Sequence, residues 1–343
     1  MRLKVKIIAI ILFGLMTACG DMEIKYFTRI NPDGSIFKIV EAIGDSAKVF
    51  NNPFPFELNS QWQIEYSSII DSIDGDTLFI ASAQRTFSSW AEVQATLYRD
   101  VDTLGCENIA AVYSKHFKWF YTYHAYEEVF LKKFPFSNLS IDTFLSPEQY
   151  AHLVLGDTTV TENCSEKEKK VFEEQAEEQF FQFLATSVSD EFIRILDNYS
   201  NAHGIELDRE NLKSEIEQLI LSSDDSDIEI DELCQQADIL NKSTWIQEAY
   251  NAGVFNEFSK SLDHLIFLGD GRTIKTEIEV PGLLYDSNAH VINNNTAEWQ
   301  FNDNMFQYKD YVTQVKYRTV NLWAIILSVI LSMLIVWFIF RFK

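Results

Sequence analysis

The chain has 343 residues, with 28 basic against 51 acidic side chains and a formal net charge of −23. That balance excludes nucleic acid as a partner, because phosphate binding needs clustered cations that release counterions. Hydrophobic residues at 47% and aromatics at 14%, with 12 glycines and 6 prolines, suffice for a sizeable core and exclude wholesale disorder.

At the N-terminus, Arg2, Lys4 and Lys6 precede an apolar run over 7–15 that is too short to span a bilayer, so 1–18 reads as a secretory signal. Leu15-Met16-Thr17-Ala18-Cys19 resembles the lipobox of bacterial lipoproteins, which implies cleavage before Cys19 and acylation of its thiol. The alternative is an ordinary signal cleaved after Ala18. Asp21 and Glu23 follow as an exposed tether.

Residues 19–164 read as β-rich. The runs 24–30 and 35–40 flank Asn31-Pro32-Asp33-Gly34, where Pro sits at the first central position of a turn and Gly supplies φ > 0, predicting a hairpin. A second hairpin is predicted at Asp74-Gly75, between 62–73 and 77–87. Ser89-Trp90-Ala91-Glu92 has the spacing of a capping box and opens a short helix to about Arg99. The aromatic stretch 113–130 is expected to be one long strand, with Phe117, Trp119, Tyr121 and Tyr123 on one face and Lys118, Thr122, His124 and Glu128 on the other. The aromatic face is either core or the wall of a ligand site.

Residues 165–268 carry the helical period, over 166–198, 207–221 and 227–240, with Gly204 as a stop. Between 162 and 232 there are 21 acidic and 6 basic residues, a net of −15, read as a solvated helix face or an acidic docking surface. Asp224, Asp225, Asp227, Glu229, Asp231 and Glu232 have the alternation of a calcium loop, but Ile230 and Gln236 stand where an EF-hand needs Gly and Glu. Residues 269–320 return to strands, at 273–280, 297–301 and 311–320, with Pro281-Gly282 as a turn.

Residues 322–340 lack any charge and would form a helix about 28 Å long, with Trp323 and Trp337 near its ends. This segment, 321–343 with its short tail, is expected to span the membrane, and the exported signal places 20–321 outside. Both anchors are expected in the cytoplasmic membrane.

The Cys19 anchor, the Asn31-Pro32-Asp33-Gly34-Ser35 hairpin, Val280-Pro281-Gly282 with Asn288 and Trp299, and the C-terminal span together resemble the LppM-like bacterial lipoproteins. The resemblance implies a β-rich extracytoplasmic domain held at the membrane, with lipid or glycolipid contact suggested for some members of the family. It supplies no catalytic residues.

The sequence contains no Gly-x-Ser-x-Gly elbow, P-loop, dinucleotide fingerprint or His-Glu-x-x-His. On a single strand His116 and His124 would stand about 26 Å apart, too far to share a metal. No cofactor is expected. Export permits one bridge among Cys106, Cys164 and Cys234, with Cys164–Cys234 preferred over Cys106–Cys164, and free thiols as the alternative. The fold expected is α+β: an antiparallel sheet built from both flanks, a long acidic helical insertion and one C-terminal transmembrane helix. The expected role is non-enzymatic, with the membrane bilayer and a lipid, glycolipid or envelope protein as partners. A hydrolase with a dispersed site is the alternative.

Overall fold

The computed structural model describes residues 22–51, 53–54, 56, 58–70, 77–98, 108–136, 139–222, 230–265 and 272–342. In chain order these form β1 (Glu23–Ile30), β2 (Ile36–Gly44), α1 (Ser46–Val49), β3 (Gln63–Ile70), β4 (Thr77–Phe87), α2 (Trp90–Leu97), β5 (Ile109–Lys118) and β6 (Tyr121–Phe130). Helices α3 (Pro147–Leu153), α4 (Glu166–His203), α5 (Arg209–Ser222), α6 (Ile230–Asn241), α7 (Trp245–Asn251) and α8 (Asn256–Leu265) follow. The chain then returns to β7 (Thr273–Glu279), β8 (Leu283–Ser287), β9 (Val291–Asn293), β10 (Thr296–Asn302) and β11 (Tyr311–Val320), and ends in α9 (Leu322–Arg341). This is the expected α+β class.

The chain divides into two compact units. The strand-rich unit takes 20–131, 272–301 and 310–343, so both flanks of the helical segment contribute to it. Among the described residues it holds a seven-stranded sheet, ordered β3-β4-β2-β1-β7-β10-β9, and a four-stranded sheet, ordered β5-β6-β11-β8. The first hairpin forms as its sequence demands. Gly34 has φ of 90°, its N–H reaches Asn31 O, and Asp33 Oδ1 accepts from both Ser35 N and Ser35 Oγ. One ladder departs from the antiparallel expectation: β1 and β7 pair in parallel, Glu23 opposite Thr273 through Arg29 opposite Glu279. Parallel neighbours need a long crossover, and the intervening helical segment provides it.

The two sheets face one another across an apolar core. Tyr26 of β1 meets Phe130 of β6 edge to face at 5.6 Å, and Phe130 meets Phe301 of β10 at 5.3 Å. Inside that layer lies a charge pair. Lys38 Nζ of β2 stands 2.6 Å from Glu128 Oε1 of β6, and neither side chain has any exposed surface. Thr28 Oγ1 and Tyr126 Oη also donate to that oxygen, at 2.9 and 2.7 Å, and Lys38 reaches Thr28 Oγ1 at 2.7 Å. Two buried charges are tolerable only with such company, because the desolvation penalty of each ion amounts to several kcal/mol.

The helical unit comprises 132–271 and 302–309. Its longest helix, α4, has 38 residues, opens on a capping box between Ser165 and Glu168, and closes on Gly204 in the left-handed conformation. Phe180, Phe183, Phe192, Ile193 and Leu196 of α4 are buried with Leu212, Ile216, Leu233 and Phe258 from the shorter helices. Buried Asp238 accepts the first backbone N–H groups of α7, from Ile246 and Gln247. Acidic side chains occupy much of the exposed remainder of α4, as a solvated face would.

Helix α9 is long and apolar enough to cross a membrane, with a mean hydropathy of 2.7 and only 6% of its most apolar stretch buried. A single residue, Asn321, separates it from β11.

Replacing Lys38 with Met should leave Glu128 as an uncompensated buried charge and cost about 3–5 kcal/mol. The double change Lys38→Met with Glu128→Leu should recover most of that loss. Denaturant unfolding followed by near-ultraviolet circular dichroism measures both, and equal stability of the single and double variants would contradict the account.

Candidate functional site

The aromatic stretch 113–130 is not one strand. It is a hairpin, β5 and β6, turning at Trp119-Phe120 and pairing Ile109 with Phe130 through Lys118 with Tyr121. The turn reverses the alternation of faces, so Phe117 shares a face with its partner Thr122, whereas Tyr121 and Tyr123 point to the other side with Lys118 and His116. The four expected residues therefore form no common wall. Phe117 is 52% exposed, Trp119 44% and Tyr121 36%, so they are not core either. Tyr123 is half-buried, edge-on to Tyr285 at 5.8 Å and capped by Lys118 Nζ at 4.6 Å. The same reversal corrects the histidine argument. His116 lies opposite Tyr123 and His124 opposite Lys115, so the two histidines sit on adjacent strands but on opposite faces.

The inner face of this hairpin carries a polar cluster that the sequence did not assemble. Tyr113 on β5, His124 on β6, and Tyr317 and Thr319 on β11 meet there. Tyr113 Oη lies 2.6 Å from His124 Nδ1, and His124 Nε2 lies 3.0 Å from Thr319 Oγ1. The imidazole stacks on Tyr317, with centroids 4.6 Å apart and planes within 4°. Tyr317 and Tyr113 are hydrogen-bonded to each other. In one tautomer Tyr113 donates to Nδ1 and the Nε2 hydrogen goes to Thr319; in the other, Nδ1–H donates to Tyr113 and Nε2 accepts from Thr319. Burial, and then the charge of Lys115, lower the His124 pKa below its ordinary value and favour the neutral ring that this arrangement requires. Burial raises both tyrosines, which remain protonated.

These residues line a cleft of about 710 Å³, closed on its other sides by Asn31, Pro32 and Gly34 of the first hairpin turn and by Pro281, Gly282 and Leu283. It is the open foot of the sandwich, at the end where β11 runs into α9. Gly282 is required there, since a Cβ at that position would collide with the carbonyl oxygen of Arg318. Lys115, Lys118 and Arg318 surround the foot without a carboxylate partner among the described residues. Arg318 instead covers the ring of Tyr121 at 4.7 Å, and its Nε is buried without a hydrogen bond. Asp286 holds Lys316 at 2.9 Å, and Asp33 is engaged within its own turn.

Cys19, Cys106, the Asp74-Gly75 turn and the acidic stretch 224–229 lie outside the described residues. Cys164 is exposed and Cys234 buried, both as free thiols, so the expected bridge between them is not formed. Burial, and then Asp238 and Asp231, push the Cys234 thiol up to about 12, which keeps it protonated and unreactive. At α2 the expected start at Ser89 is found, but Glu92 accepts from Ser88 and from Arg85 rather than completing a box with Ser89. Among the described residues no three His, Cys, Asp or Glu side chains converge to hold a metal ion.

No protein-family model matches the chain, and no curated protein matches it. Among solved structures it is similar to the folded domain of LppM from Mycobacterium tuberculosis, determined by NMR, with 8% identity over 88% of this chain and 91% of that one and a TM-score of 0.29. That is a weak similarity of outline, and it transfers neither fold nor function.

The depressed pKa of His124 has a pH signature. Above pH 6.5, the ordinary histidine value, the ring is neutral in folded and unfolded chains alike and the cluster is at full strength. Below it the unfolded chain takes up the proton first, so stability should fall as pH drops towards the folded pKa. Thermal unfolding between pH 7.5 and 5 should show this loss, and His124→Gln should reduce it. An identical pH profile for the variant would contradict the assignment.

Proposed function

We propose that the protein is an envelope lipoprotein held in the cytoplasmic membrane, acylated at Cys19 and spanning the bilayer through α9, with residues 20–321 outside and the short tail after the span in the cytoplasm. We further propose that the foot of the sandwich receives the headgroup of an anionic lipid or glycolipid. The observation that carries this reading is the position of the cleft. Thr319 and Val320 line it, and the apolar helix begins at Leu322, so its mouth stands at the depth of the headgroups. The chemistry fits. Tyrosine rings and hydroxyls present apolar faces with polar rims to a sugar or glycerol, and the surrounding cations favour phosphate on a chain that is otherwise strongly acidic.

A second reading rests on the 3.0 Å approach of His124 Nε2 to Thr319 Oγ1. In the other imidazole tautomer, with Nδ1–H donating to Tyr113, Nε2 would accept the threonine proton, as an ester hydrolase requires.

Lipid extracted from the protein purified in mild detergent separates these readings. Wild type should carry anionic lipid. Lys115→Glu, at an exposed position facing the cleft, should lose most of it without a change in melting temperature, and undiminished lipid would refute headgroup binding. For the hydrolase, Thr319→Ala should abolish fatty-acid release from added phospholipid; wild-type protein that releases none removes that reading.

The anchoring claim has its own test. Cys19→Ser should abolish incorporation of a fatty-acid analogue while the protein stays in the membrane fraction through α9. Labelling that persists in the variant would show that the acylation site is elsewhere.

A further inference from the structure

The turn of the β5–β6 hairpin sits directly against α9. Trp119 Nε1 donates to Ser328 Oγ at 2.8 Å. Ser328 lies six residues into the helix, about 9 Å below its start at 1.5 Å per residue. Trp323 packs on the same tip, stacked with Phe117 at 6.0 Å and edge-on to Trp119 at 5.6 Å. Phe120 is 47% exposed and, together with Ile325, Val329 and Met333, lines an apolar recess of about 540 Å³ running along the helix. We propose that the Trp119-Phe120 tip is embedded in the bilayer beside α9 as a second, re-entrant membrane contact, and that the recess between Phe120 and α9 holds a lipid acyl chain. This rests on α9 spanning the bilayer.

Backbone chemistry supports the depth. A hairpin turn leaves carbonyl groups unpaired, which hydrocarbon tolerates only if they are satisfied within the protein. Asn321 does this. Its backbone N–H donates to Phe120 O at 2.9 Å, and its Nδ2 donates to Lys118 O at 2.9 Å and to Trp119 O at 3.3 Å. Thr122 Oγ1 in turn donates to Asn321 Oδ1 at 2.9 Å. All three turn carbonyls are therefore paired at the level where the helix enters the membrane. The charges nearest the tip, Lys118 and Arg318, lie over the rings of Tyr123 and Tyr121, an arrangement of basic and amphipathic groups suited to the interface above. No acidic residue occurs between Tyr113 and Tyr126, in a chain with 51 of them, so the tip carries no negative charge into the lipid.

The test uses the full-length protein in proteoliposomes of phosphatidylethanolamine and phosphatidylglycerol, carrying a photoreactive benzoylphenylalanine in place of Phe120, Val329 or Tyr66. Val329 reports on the span, and Tyr66 is exposed on β3, in the other sheet. Illumination should give phospholipid adducts at position 120 in yields of the same order as at position 329, and none at position 66. Adducts at 329 with none at 120 would overturn the embedded tip while leaving the span intact. Absence of lipid adducts at 329 would remove the span and the proposal with it. Cross-linking of position 120 to a second copy of the chain would show that the aromatic tip is a self-association surface instead.

Discussion

A lysine and a glutamate that see no water hold the two sheets at a fixed separation. Lys38 projects from the seven-stranded sheet and Glu128 from the four-stranded one, and their 2.6 Å contact is bracketed by Thr28 and Tyr126. Such a pair adds little net stability, because the cost of desolvation offsets the attraction. It does penalise other sheet registers, since a one-residue slip of β2 or β6 would turn its charged residue to the opposite face and strand its partner. Glu128, Tyr126 and His124 follow one another along the same inner face of β6. The first two close the sandwich. By His124 the facing sheet has ended in the Asn31–Gly34 turn, and the layer opens into the cleft. The site is thus the part of the interior that the shorter hairpin leaves unfilled.

Strand β11 carries that opening to the start of the apolar helix α9. Its inward positions supply Thr313 and Val315 to the core, then Tyr317 and Thr319 to the cleft. Beyond Asn321 the backbone changes period from two to 3.6 and, Ser328 and Ser332 apart, the side chains are apolar as far as Phe340. Asn321 manages this change by bonding both the neighbouring hairpin and the first turn of the helix, since its own carbonyl accepts from Ala324 N at 3.0 Å. The joint is therefore braced by side-chain and backbone bonds, so α9 and the foot of the sandwich are coupled mechanically as well as covalently.

What the sequence disclosed follows the range of the forces involved. The Asn31–Ser35 turn, the Gly204 stop, the strands at 273–279 and 311–320 and the apolar helix are all encoded by residues close in sequence, and each is read from them. The Trp119-Phe120 turn was missed because it contains no Gly, Asn, Asp or Pro. Its bracing comes from Asn321, two hundred residues away. Without that knowledge, strong strand formers on both sides of the turn read as one strand, and the face assignments of Phe117, His116 and every residue beyond were mistaken together. The parallel pairing of β1 with β7 and the meeting of Tyr113, His124 and Tyr317 were hidden for the same reason. Arg318 was visible only as a charge flanking a helix, because its place over Tyr121 depends on a β11–β6 register that no local pattern specifies.

The double anchoring proposed above would constrain how the strand-rich unit can stand on a membrane. The end of β1 at Ile30 leads into the turn that lines the cleft, so the foot near α9 is its far end, and Glu23 begins about 23 Å away along the strand. Only four peptide units separate Glu23 from Cys19, a reach of about 14 Å even when fully extended. Were Cys19 acylated into the leaflet that α9 enters, as proposed, β1 could not stand upright. Its rise above the foot could not then exceed that reach, which would incline the strand by roughly 50° or more from the bilayer normal. A sandwich tilted so far brings one flank of its foot down to the lipid. The flank carrying Phe117, Trp119 and Phe120 has exposed aromatic side chains that suit that contact. The proposed double anchoring and the proposed embedding of the hairpin tip would thus answer the same requirement, that a domain entering the membrane through one end and tethered from the other lie low on its surface.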